Sequence, residues 1–318
     1  MIINAESVQA AATRIVGKIN QTPLTFDSRL NIYIKWENQQ KTGAFKIRGA
    51  LNKILALAPW EQERGLVAVS AGNHGLGVAF AATLVGSKAT VFLPEKTTKI
   101  KEEAILNYGA AVHKIKGDYR QAEIEAQSYA IKRGATWVSP YNDAQVIVGQ
   151  ATLGLELIDQ IKPYDSDACL VPVSGGALVS GIGLAYKYNH INTKIIGVQN
   201  KNSAYFHSLY HYGSMKNVVE TKSVADGLTG GVEKNSLTIP LVRSMLDDFV
   251  LVDEEEIERA IAYIWYHYQV VVEGSAAVPL AAFMTNKISA NKPLLIFTGC
   301  NIQADEHQQI CERWKDKI

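Results

Sequence analysis

The sequence predicts an α/β protein with a mostly parallel sheet covered by helices, and three observations carry that expectation. Short apolar runs rich in β-branched residues alternate with longer segments of helical period, the pattern of strand–helix–strand units. Several of these runs end directly in polar or glycine-rich segments. The 318 residues exceed what one hydrophobic core usually fills, so two packed domains or one large α/β unit are the architectures to expect.

The predicted strands are 66–70, 89–93, 136–139, 169–173, 194–198 and 293–297. In such sheets ligands bind beyond the carboxyl ends of the strands. Three of those ends run into Ser70-Ala-Gly-Asn-His-Gly75, Ser174-Gly-Gly-Ala177 and Thr298-Gly-Cys-Asn301. Between strands lie amphipathic segments such as 253–264, whose acidic start suits a helix N-terminus and reads as a solvated cap. No repeat, low-complexity tract or Pro/Gly/Ser-rich linker divides the chain, so a second domain is expected as an insertion into the first.

Composition narrows the partners. Hydrophobic residues make up 47% of the chain and the net charge is +1, with no long run of either sign. There is thus no electrostatic reason to expect nucleic acid or a charged membrane, and a small molecule is the expected ligand. The start, Met1-Ile-Ile-Asn-Ala-Glu-Ser, lacks the basic and apolar regions of a secretion signal, and no apolar run reaches the ~18 residues of a spanning helix. A soluble, cytoplasmic protein is expected. Cys169, Cys300 and Cys311 are odd in number and have no CxxC spacing, which suits reduced thiols better than disulfides or zinc.

Three segments carry candidate chemistry. Lys46 follows a polar, glycine-containing lead-in and stands where a helix can start; the helix end and burial would both lower its amine pKa and make a neutral nucleophile available. A lone lysine there is also compatible with an ordinary surface residue. Ser174-Gly-Gly-Ala-Leu-Val-Ser-Gly-Ile-Gly183 follows a strongly apolar strand, and its small residues would let backbone N–H groups converge on a phosphate at a helix N-terminus. The competing reading is glycine used for tight packing. Gly72-Asn-His-Gly-Leu-Gly77 lacks the GxGxxG order and no well-placed acidic residue follows its helix about twenty residues on to take a ribose, which disfavours a nicotinamide cofactor. Asn73 could instead bind a ring hydroxyl, nearby amides of residues 70–74 a carboxylate, and His74 reads as structural.

Together, in this order, these segments resemble the fold-type II pyridoxal-phosphate (PLP) enzymes, specifically the threonine/serine dehydratase and serine racemase branch. The resemblance covers nearly the whole chain: the lysine motif 37–50, the asparagine loop 70–77, Gly149-Gln-Ala-Thr-Leu-Gly-Leu-Glu156, the phosphate loop 174–183, Ala225-Asp-Gly227, Glu273-Gly-Ser-Ala276 and Thr298-Gly-Cys-Asn301. It implies two open, twisted, mostly parallel sheets flanked by helices, as in tryptophan synthase β. Residues 1–64 plus 143–318 would form a large PLP-binding domain and 65–142 a small inserted one.

By that resemblance Lys46 carries the cofactor in a Schiff base, Phe45 lies near the ring and Asn73 bonds its phenolic oxygen. Ser174, Gly175, Gly176 and Ala177 hold the phosphate, Thr298 faces the pyridine nitrogen, and Ser70, Ala71, Gly72, Asn73 and His74 receive the substrate. A neutral partner for the ring nitrogen favours prompt loss of a β-substituent over transamination. The implied activity is dehydration and deamination of a hydroxy amino acid such as L-threonine or L-serine, with Lys46 as both anchor and base. Racemase members of the family carry a serine where Ala71 stands, so one-sided elimination is favoured over racemisation. Racemisation of serine or aspartate, elimination from 3-hydroxyaspartate or a diamino acid, and a non-catalytic ligand-binding role on the same scaffold are the alternatives.

Several positions depart from the family pattern: Ala44, Leu76, Ser174, Ala177 and Cys300. Gln199, Ser203 and Tyr205 occupy the stretch where racemase-like members hold a divalent cation through carboxylates, so no metal is expected. Ending at Ile318, the sequence leads us to expect no feedback through a C-terminal regulatory domain. The family suggests a homodimer or homotetramer.

Overall fold

The computed structural model describes residues 2–161 and 166–318. Its strands are β1 (Leu24–Asp27), β2 (Ile32–Trp36), β3 (Leu66–Val69), β4 (Ala89–Pro94), β5 (Ala111–Ile115), β6 (Thr136–Trp137), β7 (Ala168–Pro172), β8 (Lys194–Asn200), β9 (Asp248–Val252) and β10 (Leu294–Phe297). They form a six-stranded sheet in the order β1-β2-β10-β7-β8-β9 and a four-stranded sheet in the order β5-β4-β3-β6. Every pairing is parallel except β1 with β2. The α/β class with two mostly parallel, helix-flanked sheets is therefore what the chain adopts.

All six predicted strands form, with ends shifted by a residue or two. β1, β2, β5 and β9 go beyond the predicted set. β5 is a largely exposed edge strand with little apolar pattern. β2 carries Lys35, a charge that argues against a strand interior, yet its side chain is fully buried. The ammonium is satisfied from outside the strand, by the Thr22 carbonyl and Gln160 Oε1, both at 2.7 Å, and by Glu156.

The core of the larger sheet is built from alternating inward residues such as Ile32, Ile34, Leu170, Val198, Leu295 and Phe297. A second core joins Ile47, Leu51 and Ile54 of the helix Lys46–Leu55 to Leu66, Ala68, Val78 and Leu93 around the smaller sheet. That helix thus lies where the two sheets meet.

Close helix crossings set its position. At Gly77, in the helix Asn73–Val85, an added Cβ would come within 3.2 Å of the Ile47 backbone nitrogen. A Cβ at Gly149, in the helix Ala144–Gln160, would lie 2.7 Å from both the Arg48 carbonyl and Gly49 Cα. One at Gly181, in the helix Ala177–Tyr188, would lie 2.6 Å from the Ala151 nitrogen. Each glycine lets backbones approach to a distance a side chain would forbid. The four helices are stacked in one chain of contacts, and the N-terminal ends of three of them, at Lys46, Asn73 and Ala177, line the site.

Behind this stack runs a buried ionic network. Arg48 donates to both oxygens of Glu37 at 2.7 Å and to Glu156 at 2.8 Å, tying the helix Lys46–Leu55 to the segment after β2 and to the helix Ala144–Gln160. The acidic start of the helix Glu254–Tyr268, read as a solvated cap, does more than face water. Asp253 and Glu256 form a capping box, while Glu254 accepts from the Ser223 hydroxyl and the Val224 N–H.

Candidate active site

A cavity of about 960 Å³ opens between the two sheets, large enough for a cofactor and a small substrate together. All twelve residues singled out by sequence line it: Phe45, Lys46, Ser70, Ala71, Gly72, Asn73, His74, Ser174, Gly175, Gly176, Ala177 and Thr298.

Lys46 is the first residue of its helix, and backbone lacing holds it in place. Phe45 N–H donates to the Thr298 carbonyl at 3.0 Å, Cys300 N–H to the Gly43 carbonyl at 2.9 Å, and Ala44 bridges Gly299. The end of β10 and the start of the lysine helix are therefore one unit. Lys46 Nζ donates to the Pro140 carbonyl at 3.1 Å, just past β6. Burial lowers the Lys46 amine to about 8, with the Glu273 charge pulling the other way.

The loop after β7 presents free donors. The N–H groups of Ser174, Gly175, Gly176 and Ala177 have no protein acceptor among the described residues. Gly176 sits in the left-handed region, φ 85°, as the N-cap of the helix Ala177–Tyr188. A Cβ at Gly175 would fall 2.2 Å from Tyr141 Cγ, so the loop can lie against that ring only as glycine. Tight packing is the role of Gly181 and Gly183, against residues 150–151 and Met245, while residues 174–177 leave their N–H groups free at a helix start, the arrangement an anion requires.

The loop after β3 is more internally committed. Ser70 Oγ accepts from Gly72 N–H at 3.1 Å. His74 Nε2 lies 2.8 Å from the Val138 carbonyl. That partner only accepts, so Nε2 carries the proton. Burial drives the imidazole down to about 3, helped by Lys46. His74 is a neutral structural donor in the cavity wall. Thr298 is buried, and its hydroxyl makes no bond to protein among the described residues. Cys300 is half-buried, with Sγ 3.4 Å from the Asn38 carbonyl; burial, with Glu273 adding, pushes its thiol up to about 11. It has no thiolate character at neutral pH.

Two residues without a sequence-assigned role join the site. Glu273 Oε1 accepts from Asn73 Nδ2 at 2.7 Å, Glu273 Oε2 accepts from Asn301 N–H at 3.1 Å, and Asn301 Nδ2 donates to Asn73 Oδ1. Burial, reinforced by Asp226, raises the Glu273 carboxyl to about 7. The available sequence signal was a glutamate directly before a small-residue helix, which by itself reads as an ordinary helix start.

A buried lysine amine, four free backbone N–H groups and a neutral hydroxyl around one cavity suit an aldehyde that carries a phosphate, the set that a cofactor enzyme with an amine nucleophile needs. The chain belongs to the pyridoxal-phosphate dependent enzyme family, whose model matches residues 15–299. It is 37% identical over 315 residues to the L-threonine ammonia-lyase of Geobacter sulfurreducens, covering 96% of this chain and 77% of that protein. The L-threonine ammonia-lyase of Thermotoga maritima is also 37% identical, over 320 residues, covering 98% and 79%. Among solved structures, maize serine racemase superimposes with a TM-score of 0.90 at 30% identity, covering 99% of each chain.

Proposed function

We propose that this enzyme dehydrates and deaminates a hydroxy amino acid such as L-threonine or L-serine, giving a 2-oxo acid and ammonia. The observation that carries the reading is the buried Lys46 amine, held on the wall of the cavity that also exposes the four free N–H groups of residues 174–177. The two L-threonine ammonia-lyases support the substrate class.

Pyridoxal phosphate, when bound, supplies an aldehyde that links to amines and a ring that draws electrons from the substrate α-carbon. Lys46 would hold the cofactor covalently, and its Nζ, freed by the incoming substrate amine, would take the α-proton. The N–H groups of Ser174, Gly175, Gly176 and Ala177 would receive the phosphate. Asn73 would donate to the ring hydroxyl, Phe45 would lie near the ring, and Thr298 would offer the ring nitrogen an alcohol rather than a carboxylate. The loop of Ser70, Ala71, Gly72, Asn73 and His74 would seat the substrate carboxylate. Residues 1–64 with 143–318 would bind the cofactor and 65–142 would bring that loop to it; all four strands of the smaller sheet lie between 66 and 137.

Ala71 lines the cavity with a methyl group, which cannot carry a proton. Proton removal from one face followed by loss of the β-hydroxyl is thereby favoured over racemisation. The reading also places the enzyme in the cytoplasm as a homodimer or homotetramer; among the described residues no helix is long and apolar enough to cross a membrane. The test is ammonia and 2-oxo acid release from a panel of hydroxy amino acids. Release from L-threonine or L-serine is expected, and silence across the panel from cofactor-loaded protein would overturn the reading.

A further inference from the structure

We propose that Glu273 is a positioning residue for this reaction, acting with Asn301 to fix the side-chain amide of Asn73 in one orientation. The proposal deepens the reading above, in which Asn73 faces the cofactor ring, and rests on it.

The orientation follows from a chain of hydrogen bonds whose two ends agree. Asn301 Nδ2 donates to the Thr42 carbonyl at 3.0 Å, a partner that can only accept, so the Asn301 amide has a single allowed orientation. Its Nδ2 therefore meets Asn73 Oδ1. At the other end, Glu273 Oε1 accepts from Asn73 Nδ2 at 2.7 Å. Were Asn73 flipped, its amino group would face the Asn301 amino group and, with Glu273 ionised above about pH 7, its carbonyl would face a carboxylate. One Asn73 N–H then remains without a protein acceptor among the described residues, on a side chain that lines the cavity. The site is thus committed to offering a donor, not an acceptor, at this point.

An independent observation indicates that the Glu273 carboxylate serves the cavity and not its own helix. Glu273 is the N-cap of the helix Gly274–Met284, yet its side chain makes no capping bond. A carboxylate turned from the free N–H groups beside it gives up a favourable local contact. It is 6% exposed and has no cationic partner within salt-bridge distance among the described residues, a placement that costs stability unless other donors compensate. Space is kept for it, since a Cβ at Gly299 would lie 2.7 Å from Glu273 Oε1.

The test uses the cofactor-loaded enzyme and Glu273→Gln, which keeps the shape of the side chain but puts an amide against either Asn73 or the Asn301 N–H. The visible absorption of the bound cofactor should shift, and kcat should fall by about tenfold or more with a smaller change in KM, the size expected when a charged hydrogen-bond partner is lost. Should that variant fold poorly, Asn301→Ala removes the other clamp and is expected to give the same spectral shift. Variants that fold, retain the wild-type spectrum and keep kcat within about twofold would overturn the proposal. A wild type that binds no pyridoxal phosphate would instead overturn the reading on which it rests.

Discussion

The chemistry assigned to this chain depends on the protonation of one amine. An ordinary lysine is about one part in three thousand neutral at pH 7, whereas one titrating at about 8 is about one part in ten neutral. Burial disfavours the ammonium, so the reactive amine gains as pH rises, with its midpoint near 8 rather than near 10.5. The rate at which cofactor-free protein takes up pyridoxal phosphate should therefore climb through pH 7–9, followed as growth of visible absorbance; a rate still rising steeply above pH 10 would contradict the buried placement. A second residue-scale prediction concerns Ala71. Ala71→Ser adds a hydroxyl to the cavity wall, and chiral analysis should then detect D-amino acid that the parent enzyme does not form. If the parent itself releases D-enantiomer faster than oxo acid, the one-sided reading of this site is wrong.

The element that matters most is the helix Lys46–Leu55, clamped at the glycine crossings and by the Arg48 network. Arg48→Met would strand Glu37, which is fully buried, and should destabilise the protein by about 3–5 kcal/mol. Gly149→Val would drive a branched side chain into the Arg48 carbonyl, with an expected cost of about 1–3 kcal/mol or more. Denaturant unfolding checks both, and cofactor retention should fall with stability because the same helix carries Lys46. Sequence pattern reveals elements of this kind unevenly. The Lys46, residue 70–74 and residue 174–177 segments are legible because each lies at a helix start or beyond an apolar strand. β2 is hidden because Lys35 looks like a surface charge until its partners at Thr22, Glu156 and Gln160 are brought to it. Glu273 and Asn301 are hidden for the same reason: what they do is defined by Asn73, some two hundred residues away in the chain.

At the scale of the molecule, two sheets meet along one helix, and the loops from both converge on one cavity. The strand alternation and glycine placement forecast that class of architecture. They do not reveal how tightly the halves are joined, because that depends on tertiary contacts such as Lys101 with Asp226 at 3.0 Å and Gln303 with Thr98 at 3.2 Å. Everything chemical in the account requires that the cavity close around a covalently held cofactor. Borohydride reduction of the purified, cofactor-loaded protein followed by peptide mapping tests this directly. Pyridoxyl modification is expected on the peptide containing Lys46 and is expected to be absent in Lys46→Ala; modification confined to another lysine, or none at all, would contradict a covalent link at Lys46.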